Sequence, residues 1–81
     1  MRLDKFLKVS RIVKRRTVAN EMASAGRVEI NGKRAKPGSE VKEGDILDIG
    51  FGQNRTRVRV LDVREHVRKE EAGSLYEILT D

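Results

Sequence analysis

Between Ala25 and Val28 the spacing of the hydrophobic residues changes from the period of a helix to that of a strand. Before the change, Val18, Met22 and Ala25 recur at i, i+4 and i+7, and Ala19 and Ala23 add small contact surfaces. After it, Val28 and Ile30 alternate with Arg27 and Glu29. Gly26 stands where a left-handed residue ends a helix. Asn31-Gly32 follows as a tight-hairpin pair. A helix that runs almost directly into a hairpin must cover one face of a sheet, which points to an α+β domain.

The rest of the chain fits that frame. "RLDKFLKVS" places Leu3, Phe6 and Leu7 on one stripe of a short first helix ending near Ser10, with Lys5 and Lys8 on the other side. A second helix is expected from about Arg15 to Ala25, with Thr17 as a candidate N-cap. "KRAK" continues the hairpin until Pro37-Gly38 breaks it. Glu43-Gly44 then turns into a strand carrying Ile46, Leu47 and Ile49, and Gly50-Phe51-Gly52 reads as a turn or bulge. "NRTRVRVLDV" is a strand with one wet face, "HVRKEEAGS" a helical turn or a loop, and "LYEIL" a final strand. The expected order is α-α-β-β-β-β(-β), two N-terminal helices and then a small, mainly antiparallel sheet. Residues 1–63 form the domain, and residues 64–81 add a turn or helix and a strand that pack on it.

Charge divides the chain unequally. Residues 1–36 hold 11 Lys and Arg against 3 acids, a net +8, whereas residues 37–81 hold 7 against 10, a net −3. Such asymmetry points to an anionic partner bound by the N-terminal part, with a protein-interaction adaptor using the acidic C-terminal half as the alternative. Lys14, Arg15 and Arg16 form the densest basic run, at a helix start where the macrodipole disfavours cations. A solvated cluster is the plain alternative. A bound phosphate reverses the unfavourable sign, because free N–H groups and arginine forks then share one anion. Arg16 and Asn20 lie one turn apart, away from the Val18/Met22 stripe, as a phosphate-and-sugar contact pair. Lys33, Arg34 and Lys36 follow on the hairpin, where they are expected to flank the helix start.

Catalysis finds little support. Cysteine is absent, which excludes disulfides, zinc ribbons and thiol nucleophiles. His66 is the single histidine, too few for a histidine metal cluster or a Ser-His relay. Asp45 and Asp48, three apart on an apparent strand, point to opposite faces and form no carboxylate pair. No enzyme, metal or cofactor is expected. Only Phe6, Phe51 and Tyr76 are aromatic, which undersupplies base-stacking platforms and favours recognition of RNA backbone and shape. No apolar run approaches a membrane span and no signal-peptide core is present, so the expectation is a cytoplasmic protein.

Several of these residues fall in one pattern: Arg2-Leu3-Asp4, Arg16-Thr17, Ala19, Gly26-x-Val28-x-Ile30-Asn31-Gly32 and Gly44-Asp45. Their order and spacing resemble the S4-type (alpha-L) RNA-binding domain. With "RKEEAGSLYEIL" added, the chain resembles the free-standing members of the RqcP family of ribosome-associated quality control, and is also similar to the small heat-shock proteins that rescue large subunits. This resemblance implies a non-enzymatic factor, monomeric off the ribosome, that binds obstructed large subunits through rRNA and peptidyl-tRNA. It also implies support of C-terminal alanine tailing alongside an RqcH-type tRNA-recruiting factor. The family's contact positions carry over to Arg2 and Arg16, and with them Lys5, Lys8, Lys14 and Arg15. Arg11, Thr17, Asn20, Lys33, Arg34 and Lys36 complete the candidate RNA-binding set.

Overall fold

In the computed structural model, which describes residues 1–79, the change of period falls where two helices give way to one antiparallel sheet. Helices α1 (Leu3–Val9) and α2 (Arg16–Ser24) precede strands β1 (Val28–Ile30), β2 (Lys33–Arg34), β3 (Ile46–Phe51) and β4 (Asn54–Val60). A 3-10 helix (Lys69–Leu75) then leads into β5 (Tyr76–Leu79). The strand order is β2-β1-β3-β4-β5, and every neighbouring pair is antiparallel. This is the expected α+β architecture, and "HVRKEEAGS" resolves into a short loop at residues 66–68 followed by the 3-10 helix.

The core lies between the helices and one face of the sheet. Leu3, Phe6 and Leu7 of α1 are wholly buried, against Val28, Leu47, Ile49, Val58 and Val60 of the strands. On α2 the buried residues are Ala19 and Ala23, while Val18 stays 40% exposed and Ala25 is exposed too. The stripe drawn through the larger side chains is therefore rotated from the one observed. Close packing of α2 onto α1 requires small residues at the contact, and size is a poor guide there.

Two glycines act through their backbone. Gly26 (φ 77°) ends α2, and Gly32 (φ 83°) with Asn31 (φ 52°) forms the two-residue β1–β2 turn with both central residues left-handed. The Asn31 side chain donates to Asp45 Oδ1 at 3.0 Å and accepts from the Ile46 amide at 2.9 Å, tying this turn to the start of β3.

Four local expectations change. The N-cap of α2 is Arg15 in extended conformation, with no side-chain cap, so Thr17 lies inside the helix. The second hairpin strand covers Lys33–Arg34 only, although the Ala35 amide still donates to the Val28 carbonyl. Gly50 and Phe51 belong to β3, and the turn falls at Gly52-Gln53 because Phe51 pairs with Asn54. Asp45 precedes β3 as a turn residue that accepts the Lys42 amide, while Asp48 sits in the strand.

Candidate nucleic-acid interface

Helix α1 begins with two of its first-turn backbone donors already satisfied. The Leu3 and Asp4 amides donate to the Ser39 and Pro37 carbonyls at 2.8 and 3.1 Å, and the Val41 amide donates to Met1. An isolated bridge pairs Arg2 with Glu40. The loop after the hairpin thus caps α1 and fixes the position of Arg2 and Asp4. Helix α2 has no such cover. Its first-turn amides, at Arg16, Thr17 and Val18, have no hydrogen-bond partner among the described residues.

Asp4 is the organising residue. It is 2% exposed, yet it sits among donors from both helices. Arg2 grips it with a fork, Nε to Oδ1 and Nη2 to Oδ2, both at 3.2 Å. Arg16 Nη2 donates to Oδ1 at 3.3 Å, and Asn20 Nδ2 to Oδ2 at 3.4 Å. Burial raises the pKa of Asp4, but the hydrogen bonds from Arg2, Asn20 and Arg16, with the charge of Arg16, outweigh it and hold the carboxyl below its ordinary value. The two guanidinium side chains remain 56% and 48% exposed. One buried carboxylate therefore aims two half-exposed cations, leaving a net positive charge beside the uncapped start of α2. An open cleft lined by Asp4, Arg16, Thr17, Asn20 and Glu21 lies there.

The remaining sequence candidates distribute around this centre. Lys14 and Arg15 are exposed just ahead of α2, and Lys8 is exposed in the last turn of α1. Arg11 is exposed in left-handed conformation (φ 63°). None of these four has an ion-pair partner among the described residues. Lys5 instead pairs with Glu65, and its ammonium holds that carboxyl below the usual range. Lys36 is exposed on the segment leading to Gly38, where Arg2 lies close by. Arg34 does not flank the start of α2: it donates to the Ser24 carbonyl at 3.2 Å, at the other end of the helix. Its charge suits the negative end of the helix dipole, and the short turn through Gly26 brings the hairpin there.

One feature escaped the sequence reading. Asp4 looked like an ordinary acid in a first helical turn; its role needs α2 packed alongside, which the linear spacing 4, 16 and 20 does not announce. Arg55, Arg57 and Arg59 line the wet face of β4, as alternation allows. Arg55 and Arg59 are paired there, with Asp48 and Glu77 at 2.6 Å. Among the described residues, no group of three or more metal-ligating residues occurs, and no helix is long and apolar enough to cross a membrane.

The S4 domain family model matches residues 1–47, which carry the whole of the Asp4 arrangement. The chain belongs to the S4 domain family. As an S4 protein it is similar over nearly its full length to curated relatives. It is 59% identical over 78 residues to the RQC P-site tRNA stabilizing factor of Halalkalibacterium halodurans, covering 96% of this chain and 89% of that protein. It is 53% identical over 81 residues to the factor of that name in Bacillus subtilis, covering 100% and 94%. Among solved structures, Heat Shock Protein 15 of Vibrio cholerae, described as trimeric, superposes with a TM-score of 0.89 at 32% identity. That match covers 98% of this chain and 81% of the other. The resemblance read from Arg2 to Asp45 thus holds, for the S4 fold and for the RqcP-type relatives.

Proposed function

We propose that this S4 protein is a non-enzymatic RNA-binding factor of ribosome-associated quality control, acting in the cytoplasm with P-site tRNA on the large ribosomal subunit. The observation that carries the reading is the pair of guanidinium groups that Asp4 aims beside the open amides of α2. A phosphate placed there gains charge-assisted bonds from both arginines and backbone donors from the helix start. Lys14, Arg15, Lys8 and Arg11 extend the positive field, and Asn20 and Thr17 supply neutral donors for sugar hydroxyls. Contacts of this kind position a structured RNA without reading its sequence. The names of the full-length relatives support tRNA as one such RNA.

On this reading the protein bridges large-subunit rRNA and peptidyl-tRNA, holds the tRNA through another round of elongation, and so supports alanine tailing with an RqcH-type factor. It works as a monomer off the ribosome. The likeness to Heat Shock Protein 15 favours a second reading, rescue of obstructed subunits without tailing. Sucrose-gradient sedimentation of lysates containing wild type or Arg16→Ala tests the binding. Wild type should travel with large subunits and the variant should stay near the top. Wild type remaining at the top would defeat both readings. Alanine-tailed chains and the RqcH-type factor in the bound fraction distinguish tailing from rescue.

A further inference from the structure

On the side of α2 next to the arginine site, a second cleft of about 380 Å³ opens between the helix and the tip of the β3–β4 hairpin. The volume lies within the ~300–1,000 Å³ range of small-ligand sites. Its walls include Val18, Met22 and Phe51, with Glu21 and Arg27 at the polar positions. Glu21 also lines the arginine cleft, so the two openings adjoin across one residue of α2.

The local backbone keeps Phe51 accessible. It is 38% exposed, and the residues on either side of it are glycines. A Cβ at Gly52 would meet nothing within 4 Å, so this side is open. A Cβ at Gly50 would come within 3.4 Å of the Arg27 carbonyl, which accepts the Gly50 amide at 2.8 Å. That backbone bond holds Arg27, just ahead of β1, beside Phe51. The side chains of Glu21 and Arg27 have no hydrogen-bond or ion-pair partner among the described residues.

We infer that this cleft receives one unpaired base of the RNA bound across α2, stacked against Phe51. The inference rests on the RNA-binding reading above. A base offers a π-face for the aromatic ring, edge N–H groups for the Glu21 carboxylate, and a phosphate for Arg27. An apolar side chain of a protein partner would use Val18, Met22 and Phe51 but leave both charges unmatched. Continuity with the arginine cleft supplies the path: a strand held at Arg16 needs to cross only Glu21 to enter. Few aromatics argued against stacking as a general mode of binding, and a single stacked base is compatible with that scarcity.

The test compares an oligoadenylate with a blunt RNA duplex of the same length, using wild type, Phe51→Leu and Arg16→Ala. Phe51→Leu keeps the apolar volume and removes the π-face. It should weaken oligoadenylate binding roughly 5- to 150-fold, the range for one stacked base at ~1–3 kcal/mol, and leave duplex binding unchanged. Equal loss on both RNAs, or no loss on either, overturns the base pocket. Failure of wild type to bind either RNA overturns the RNA-binding reading instead, and retained binding by Arg16→Ala removes only the arginine site, so the failures are distinguishable. The protein contains no tryptophan, so Phe51→Trp installs a single reporter. Its emission should be quenched as oligoadenylate saturates. Saturation without quenching, or a blue shift produced by a protein partner alone, also overturns the assignment.

Discussion

Replacing Asp4 by asparagine keeps the side-chain volume and removes the charge that both arginines share. Hydrogen bonds to a charged group contribute about 1.5–3 kcal/mol when well formed. The bonds here are long, at 3.2 Å for Arg2 and 3.3 Å for Arg16, and both arginine side chains are about half exposed. Exposed ion pairs fall to about 0.2–1 kcal/mol. Taking the upper part of that range for each arginine gives a loss of about 1.5–2 kcal/mol for Asp4→Asn at neutral pH. For a domain of this size the loss corresponds to a melting temperature lower by roughly 6–16 °C. Urea unfolding followed by far-UV circular dichroism measures it. The pH dependence has a definite sign. The folded-state pKa of Asp4 is depressed, so its contribution is present above the unfolded-state pKa and is lost as pH falls through the folded one. The gap between wild type and variant should therefore close on strong acidification. Equal stability at neutral pH, or a gap that survives at acidic pH, would refute the role given to this carboxylate.

Gly26→Ala should cost roughly 1–2 kcal/mol, because φ is 77° there. Its Cβ would also approach Arg34 Cζ to 2.8 Å, but that flexible group can move. The cost measured by denaturant titration should persist in an Arg34→Ala background; its disappearance would assign the effect to the contact. Leu47→Ala, at a wholly buried site, should lose about 2–5 kcal/mol and shift the thermal transition accordingly. A change of under a degree would mean that β3 does not carry the core. Binding to bulk tRNA should weaken steeply with salt, and Arg16→Ala should reduce the log–log slope by about 1. A flat salt response in a filter-binding assay would remove the electrostatic basis of the interface. Arg59→Ala breaks an exposed pair with Glu77 and should alter stability by no more than about 1 kcal/mol in urea titrations.

Much of this architecture is written in local pattern. Leu3, Phe6 and Leu7 announce α1, and Gly26 and Asn31-Gly32 punctuate the chain where the structure turns. Arg2 and Arg16 stand out in the sequence by charge and motif. What the pattern could not supply depends on packing between distant segments. The buried face of α2 is set by how close α1 must come, which promoted Ala19 and Ala23 over Val18. The basic charge of Arg34 suggests a place beside the cations at the start of α2, but the short turn through Gly26 ties the hairpin to the C-terminal end of the helix. Phe51 looked like part of a turn, since nothing local shows that the β3–β4 hairpin reaches back to α2.

The stitching of the chain's start to residues 37–41 has a consequence for fragments. A peptide of residues 1–30 would contain Arg2, Asp4, Arg16 and Asn20, all four members of the cluster, and still fail to display it. Without the Pro37 and Ser39 carbonyls α1 loses the capping of its Leu3 and Asp4 amides, and Arg2 loses the neighbour that fixes its backbone. During synthesis, likewise, the cluster cannot mature until about 40 residues have emerged. On the proposed function, the grip on RNA is thus a property of a closed loop of chain, and peptide mimics drawn from the basic helices alone would copy its charge but not its aim.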